Sequence, residues 1–243
     1  MRGMLALTRA EMMRVGRNKR YLIFTLALPV VLYLAVGRQV KGMEAGIPFR
    51  AFYMVAMASL GAFSGALTGN AQRISQERKE GWVRQLRLTA LPAHSYVVAK
   101  VLASMATSVP SIVAVLVAAK LAGGINLALW QWLAIGGSVW IGTLAFAALA
   151  VAIGYRFMPD VVQPITMFIY LVMSVVGGIW VQFNGGIMHK ISETLPTYQI
   201  VKIGTDVVSR TSVSATSVIT ILAWLAGFAA LAVLAVRRMS ETI

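Results

Sequence analysis

The sequence contains no cysteine among its 243 residues. A disulfide framework, a thiolate nucleophile and a cysteine metal site are therefore excluded. Acidic residues are also scarce, with 8 Asp and Glu against 22 Lys and Arg, and there are only 2 His. Charged residues make up 12% of the chain, whereas soluble domains usually carry about 25%. The shortage of charge argues against an ordinary soluble protein.

A nucleotide-binding P-loop is absent as well. That motif requires a Gly-Lys pair, which occurs nowhere in the sequence. If ATP drives this protein, another polypeptide must bind the nucleotide. The two histidines, His94 and His189, fall on opposite sides of the membrane in the topology derived below, so they cannot share a metal ion. We therefore predict no catalytic, cofactor-binding or metal-binding residue in this chain, and no enzymatic activity of its own.

Apolar runs long enough to cross a bilayer dominate what is present, and 58% of the residues are hydrophobic. A membrane-spanning helix needs about 20 apolar residues. The sequence predicts an all-α, polytopic membrane protein that forms a single domain over residues 1–243. Its six predicted transmembrane helices cover residues 21–36, 51–69, 97–119, 129–153, 164–181 and 213–236.

Shorter patterns add detail to this plan. Residues 1–20 predict a basic amphipathic helix at the membrane interface, although a secretory signal over this start and the first apolar run is a less favoured alternative. Pro29 and Pro110 are expected to kink the first and third spans. Gly61, Gly65 and Gly69 repeat every fourth residue and predict close helix packing, within one chain rather than between chains.

Orientation follows from the distribution of basic residues. Six spans place both termini on one side, and that side carries roughly twice as many Lys and Arg residues as the other. We therefore expect cytoplasmic N- and C-termini. Residues 182–210 are too polar to span and should form an extracytoplasmic hairpin region. The net charge of +14 is explained by cytoplasmic loops and lipid headgroups, not by nucleic acid.

The segment 70–100 mixes acidic and basic residues between two apolar runs. A polar helical segment of this kind cannot lie in hydrocarbon, so it must lie at a membrane face. Glu77, Arg78, Lys79 and Glu80 come directly before Gly81-Trp82. A short charged helix followed by an aromatic residue predicts docking into a groove of a soluble partner, because Trp and Arg are favoured anchors. The alternative is a solvated loop that only joins two spans.

The same segment resembles the first cytoplasmic loop of the membrane subunits of bacterial ABC transporters of the ABC-2 type, especially the drug and antibiotic exporters. Further resemblance lies before the first span and after the fifth, so that it covers nearly the whole chain. The residues that carry it are Glu11, Arg14, Arg17, Asn18, Pro29, Glu77-Arg78, Gly81, Leu86, Thr89, Leu91-Pro92, Tyr96, Lys100, Gly177-Gly178-Ile179-Trp180 and Leu195-Pro196-Thr197-Tyr198.

This resemblance implies a permease subunit in the bacterial inner membrane. It would pair with a second permease, identical or related, and with two copies of an ATPase subunit that bind ATP and Mg. Residues 70–96 would be a cytoplasmic coupling loop that carries ATPase movement into the spans. The residues implied at the ATPase interface are Ser75, Glu77, Arg78, Glu80, Gly81, Trp82, Arg84 and Leu86.

The expected cargo is an apolar or amphipathic compound, such as a drug, an antibiotic or a lipid-like molecule, that is moved out of the cell. Such efflux would give antibiotic resistance. Two alternatives remain at this point. One is a polysaccharide or glycolipid exporter. The other is a lipid-processing membrane enzyme, for which Glu77, Glu80 and His94 are the only candidate catalytic residues.

Overall fold

The computed structural model describes residue 13 and residues 19–37, 39–82, 85, 93–180, 182–183 and 185–241. Nearly all of the interface helix predicted over residues 1–20 lies outside these ranges. So do Arg84 and Leu86 of the predicted ATPase interface.

The described residues form helices and one small antiparallel β-hairpin. The elements are α1 (Lys19–Leu32), β1 (Met43–Glu44), β2 (Ile47–Pro48), α2 (Phe49–Ser64), α3 (Asn70–Lys79), α4 (Ala93–Ala122), α5 (Leu129–Arg156), α6 (Pro159–Val176), α7 (Gly186–Thr194), α8 (Pro196–Ser209) and α9 (Ala215–Glu241). Two π-helical segments, Tyr33–Gly37 and Gly65–Gly69, extend α1 and α2. In the hairpin, Glu44 pairs with Ile47.

Five helical stretches in the described part of the chain are long and apolar enough to cross a membrane. They are Phe49–Lys79, Tyr96–Ala122, Leu129–Arg156, Pro159–Val176 and Ala215–Arg237. The first predicted span corresponds to a shorter apolar helix, Thr25–Gly37. The all-α polytopic architecture is therefore confirmed, whereas the count of six spans stays a prediction.

Burial separates a central helix from peripheral ones. The apolar window of the stretch containing α2 is 89% buried, and that of α9 is only 11% buried. Helix α5 packs against α9, α4, α3 and α8 and so connects the centre with the periphery. Since lipid tails are as apolar as leucine, an exposed apolar face is stable in a bilayer. The exposed apolar faces of α9 can therefore lie against lipid or against another membrane helix.

Small residues set the closest helix contacts. A Cβ atom added at Gly61 would collide with the side chains of Ser111 and Pro29, which places Gly61 where α1, α2 and α4 meet. Pro29 and Pro110 both lie inside helices, in α1 and α4. Gly65 and Gly69 bound a π-helical segment. The four-residue spacing of the three glycines therefore does not follow one regular α-helical face.

The predicted boundaries of the second and fifth spans differ from the structure. No loop begins at Asn70, because α3 continues the second span as one helical stretch from Phe49 to Lys79. The fifth span begins at Pro159 rather than Pro164, because proline is well tolerated in the first helical turn. It ends at Val176, before Gly178 adopts a φ of +74°.

A second apolar cluster lies beside α3, apart from the main core. It joins α3, α4, α5 and α9 through buried side chains, which are Ile74, Tyr96, Val151, Ala152, Tyr155 and Ala232. Gly154 allows this contact, because a Cβ atom there would lie 2.9 Å from the carbonyl oxygen of Ala71 and 2.8 Å from Cβ of Ile74. The cluster fixes α3 against the bundle.

We predict that Gly154→Ala lowers the free energy of unfolding by about 1–3 kcal/mol, because the added methyl group meets backbone that cannot move freely. Gly137→Ala is the matched control in the same helix, since nothing lies within 4 Å of a Cβ atom there. It should be neutral or stabilising by about 0.5–1 kcal/mol through helix propensity. Thermal unfolding of the purified protein measures both. Equal stability of the two variants would contradict the proposed α3–α5 contact.

Candidate functional site

Helix α3 leaves the bundle at its C-terminal end. Lys79 and Glu80 are exposed there, and Trp82 has 40% of its surface exposed. Gly81 has a φ of +77°, a left-handed conformation that favours glycine and commonly ends helices. Gly81 therefore lies at the end of this helix, where the chain changes direction.

The opposite face of α3 carries a buried carboxylate. Glu77 is 2% exposed. Its Oε1 accepts a hydrogen bond from Nζ of Lys100 at 2.6 Å, which is also a salt bridge, and its Oε2 accepts one from the hydroxyl of Tyr96 at 2.7 Å. Lys100 is equally buried, at 2%. Both carboxylate oxygens thus have donors, as a charge removed from water requires.

The aromatic surroundings complete this triad of Glu77, Tyr96 and Lys100. The ammonium of Lys100 lies 5.3 Å from the ring centroid of Tyr96, within range of a cation–π interaction. The ring of Tyr155 meets that of Tyr96 edge-on, with centroids 6.2 Å apart. The triad therefore ties α3 to α4, and its aromatic member contacts α5.

A second pair of contacts ties α3 to the junction between α5 and α6. The hydroxyl of Ser75 donates to the carbonyl oxygen of Phe157 at 2.7 Å, and Nη2 of Arg78 donates to the same oxygen at 2.9 Å. The last carbonyl groups of a helix lack partners within the helix. Here the carbonyl just beyond α5 obtains two donors from α3, one of them charged.

Together these contacts attach α3 to the rest of the bundle at two points. Glu77 joins α3 to α4, and Ser75 and Arg78 join it to the α5–α6 junction. The arrangement is less suited to acid–base chemistry, because both oxygens of Glu77 are already occupied. Within the described ranges, no group of three or more His, Cys, Asp or Glu residues could hold a metal ion.

The predicted site residues divide into two sets. Ser75 and Glu77 are buried and Arg78 is half-buried, so these three make contacts within the chain. Glu80, Gly81 and Trp82 lie at the open end. Lys100, which the sequence placed near the start of the third span, lies inside α4 and is buried. Its spacing from Glu77 carries no periodic signal, although Tyr96 and Lys100 belong to the motif that the resemblance identified.

A small polar cavity of about 150 Å³ lies in the other polar region of the chain. It is lined by Ala45, Gln182, Tyr198, Lys202, Thr205 and Asp206. Burial raises the pKa of the Asp206 carboxyl above its ordinary value, while Lys202 and Thr211 oppose this effect. Burial likewise raises the pKa of Tyr198. The residues that line the cavity come from the hairpin β1–β2, the segment after α6 and helix α8.

Comparison with known proteins is consistent with a transport role. The sequence pattern of the ABC-2 family transporter proteins matches residues 40–237. This chain belongs to the ABC-2 transporter family. The match includes α3, the triad and five of the spans, whereas all of α1 precedes it.

One relative in this family is a protein of Bacillus subtilis (strain 168) named "Putative transport permease YvfS". It is 29% identical to this chain over 195 residues, which are 78% of each protein. The ABC-2 chain described here is accordingly a multi-pass membrane protein and the membrane subunit of an ABC transporter, a class that works with an ATPase.

We predict that Glu77→Gln lowers the free energy of unfolding by about 3–5 kcal/mol, because it leaves the ammonium of Lys100 buried without a counter-charge. Lys100→Met should be similarly costly. The double variant should recover much of the loss, since it removes both charges. Denaturation of the purified chain and a double-mutant cycle measure the coupling.

Glu80→Gln serves as the control for this cycle, because Glu80 is an exposed carboxylate of the same segment. Its effect should stay within about 0.5 kcal/mol. If the losses of the two single variants simply add in the double variant, the pair is not coupled and the triad does not hold α3.

Proposed function

We propose that this chain is the membrane subunit of an ATP-driven exporter that moves an apolar or amphipathic compound, such as a drug, an antibiotic or a lipid-like molecule. Two copies of a separate ATPase bind ATP and Mg, and a second permease, identical or related, completes the transporter. Family membership supports the transport role. The largely uncharged spans support an apolar cargo, because charged groups inside spans usually mark ion-coupled pathways.

The observation that carries the proposal is the two-sided construction of α3. Its end is exposed at Lys79, Glu80 and Trp82, while Ser75, Glu77 and Arg78 are bonded to other helices. In this mechanism, residues 75–85 act as the coupling helix. The exposed set contacts the ATPase, and the buried set transmits its movement to α4 and to the α5–α6 junction.

We place the protein in the bacterial inner membrane with six spans and both termini in the cytoplasm. The basic end of α3 then faces the cytoplasm, where ATP is available. The cavity at Lys202 and Asp206 lies on the outer side. The excess of Lys and Arg on the side of the termini supports this orientation.

We expect Lys79→Cys and Trp82→Cys, each the sole cysteine of its variant, to crosslink to the ATPase when they carry a photoreactive group. ATP should change the yield, because the ATPase moves on nucleotide binding. Mass spectrometry of the crosslinked complex identifies the partner. Both positions are exposed, whereas labelling Arg78 would destroy its bond to Phe157.

Met43→Cys is the control for this experiment. Met43 is 65% exposed and lies in β1, on the side assigned to the cell exterior. It should give no crosslink to the ATPase. Absence of crosslinks from both α3 positions, in a complex that co-purifies intact, would overturn the coupling role of this segment.

We further predict that Arg78→Gln uncouples ATP hydrolysis from transport. Losing a charged hydrogen bond costs about 1.5–3 kcal/mol, so ATP-dependent transport in proteoliposomes should fall by roughly tenfold or more while ATPase activity persists. Lys120→Gln, a charge loss at an exposed residue at the far end of α4, should leave transport unchanged. Equal transport by the two variants would contradict the role of the Phe157 contact.

Cargo class is tested in the same proteoliposomes. Apolar drugs should stimulate ATP hydrolysis, whereas polysaccharide or glycolipid substrates should not. Stimulation by the saccharide substrates alone would favour the second type of exporter.

A further inference from the structure

A groove of about 380 Å³ lies between the C-terminal parts of α5 and α9. Both helices approach their ends here, so the groove lies on the same side of the bundle as Ser75 and Arg78. Its walls are almost entirely apolar. The residues that line it are Leu149, Ala152, Ile153, Arg156, Phe157, Leu231, Leu234 and Ala235.

The end of the groove is basic. Arg156 is exposed, and its guanidinium carbon lies 5.9 Å from the ring centroid of Phe157, a lining residue. Arg237 is exposed about one turn beyond Leu234 on α9. Arg78 donates to the carbonyl oxygen of Phe157, the residue after Arg156, and so adds a third guanidinium near this end. Among the residues that the structure describes, none that lines the groove is acidic. Positive charge therefore gathers at one end of an apolar groove.

Helix length gives the depth of this basic end. Helix α5 has 28 residues, which corresponds to about 42 Å at 1.5 Å per residue. The hydrocarbon core of a bilayer is about 30 Å thick. With the helix centred in the bilayer, about 6 Å projects beyond the hydrocarbon at each end, so Arg156, the last residue of α5, lies at the level of the headgroups, while Leu149 lies beside acyl chains. An occupant must be apolar along most of its length and anionic at one end.

We propose that this groove binds one anionic glycerophospholipid from the leaflet on the basic side of the protein. Its phosphate lies between Arg156 and Arg237, and an acyl chain follows the walls formed by α5 and α9. Guanidinium groups suit phosphate because they donate two parallel hydrogen bonds. Basic pockets between transmembrane helices bind anionic headgroups in this way.

The position of the groove adds a consequence. The side chain of Phe157 lines it, and the backbone carbonyl of Phe157 accepts the hydrogen bonds from Ser75 and Arg78. A bound phosphate also offsets the positive charge at this end of the groove. The lipid therefore stabilises the contact between α3 and the α5–α6 junction, independently of which compound the protein transports.

The test is lipid binding to the purified full-length chain, with bound molecules counted by native mass spectrometry. Phosphatidylglycerol and phosphatidylcholine with identical acyl chains are supplied at equal concentration. We expect phosphatidylglycerol to bind preferentially. Arg156→Gln should reduce its affinity by about fivefold, because one basic residue near a membrane surface contributes about 1 kcal/mol. Ala152→Leu, which fills the groove, should reduce binding of the same lipid.

Two matched controls accompany these variants. Lys120→Gln removes an exposed charge at the far end of α4, and Ala226→Leu enlarges an exposed residue of α9 away from the groove. Neither should change phosphatidylglycerol binding. Arg156 is exposed, so its variant should fold even if Ala152→Leu does not.

Equal binding of the two lipids, or unchanged phosphatidylglycerol affinity in Arg156→Gln, would overturn the proposal. The same spectra report the oligomeric state. A loss of dimer in Ala152→Leu, with lipid binding unaltered, would identify the groove as an interface between copies of the chain and would also overturn it.

Discussion

The buried ion pair between Glu77 and Lys100 is the constraint on which the rest of this structure depends. Two opposite charges lie out of water, so each must stay beside the other, and the hydroxyl of Tyr96 supplies the remaining donor. Separating them would expose a charge to an apolar cluster, at a cost of several kcal/mol. Helix α3 consequently cannot slide or rotate against α4 without a large penalty. A helix held in this way moves together with its neighbours, which supports the coupling role proposed for it.

The helix is continuous from Phe49 to Lys79, so this constraint acts on the whole of the second span. One end of this stretch forms the most buried span, and the residues at its other end are exposed. Its two attachments differ in kind: the triad joins side chains across α3 and α4, whereas Ser75 and Arg78 bind a backbone carbonyl at the α5–α6 junction. Phe157 lies between α5 and α6. The hydrogen bonds to its carbonyl oxygen therefore connect α3 with both of these spans. The proposed lipid groove borders this attachment through Phe157.

Much of the architecture follows from the sequence, because a bilayer permits few solutions for an apolar run. The existence and approximate limits of the spans around Val115, Val139 and Phe228 follow from run length alone. Membership in the ABC-2 family was also accessible through the order of motifs from Glu77 to Lys100. The sequence did not indicate which span lies at the centre of the bundle. Helix α9 is more apolar than the stretch containing α2, yet α9 is the peripheral one. Hydropathy measures preference for hydrocarbon and does not distinguish lipid from protein interior.

Run length and motif order in the sequence specify a helical membrane protein, its family and the segment that leads out of the second span. The orientation of that segment depends on contacts with helices distant in sequence. Asn70 to Lys79 appears polar along its length, and run-based prediction ended the span at Gly69. In the structure two of its buried polar side chains have specific partners, Glu77 with Lys100 and Ser75 with Phe157, and the helix continues. The physical reason is that a buried polar group becomes acceptable once it is paired, and the partners come from helices distant in sequence. Local sequence carries no record of such pairing.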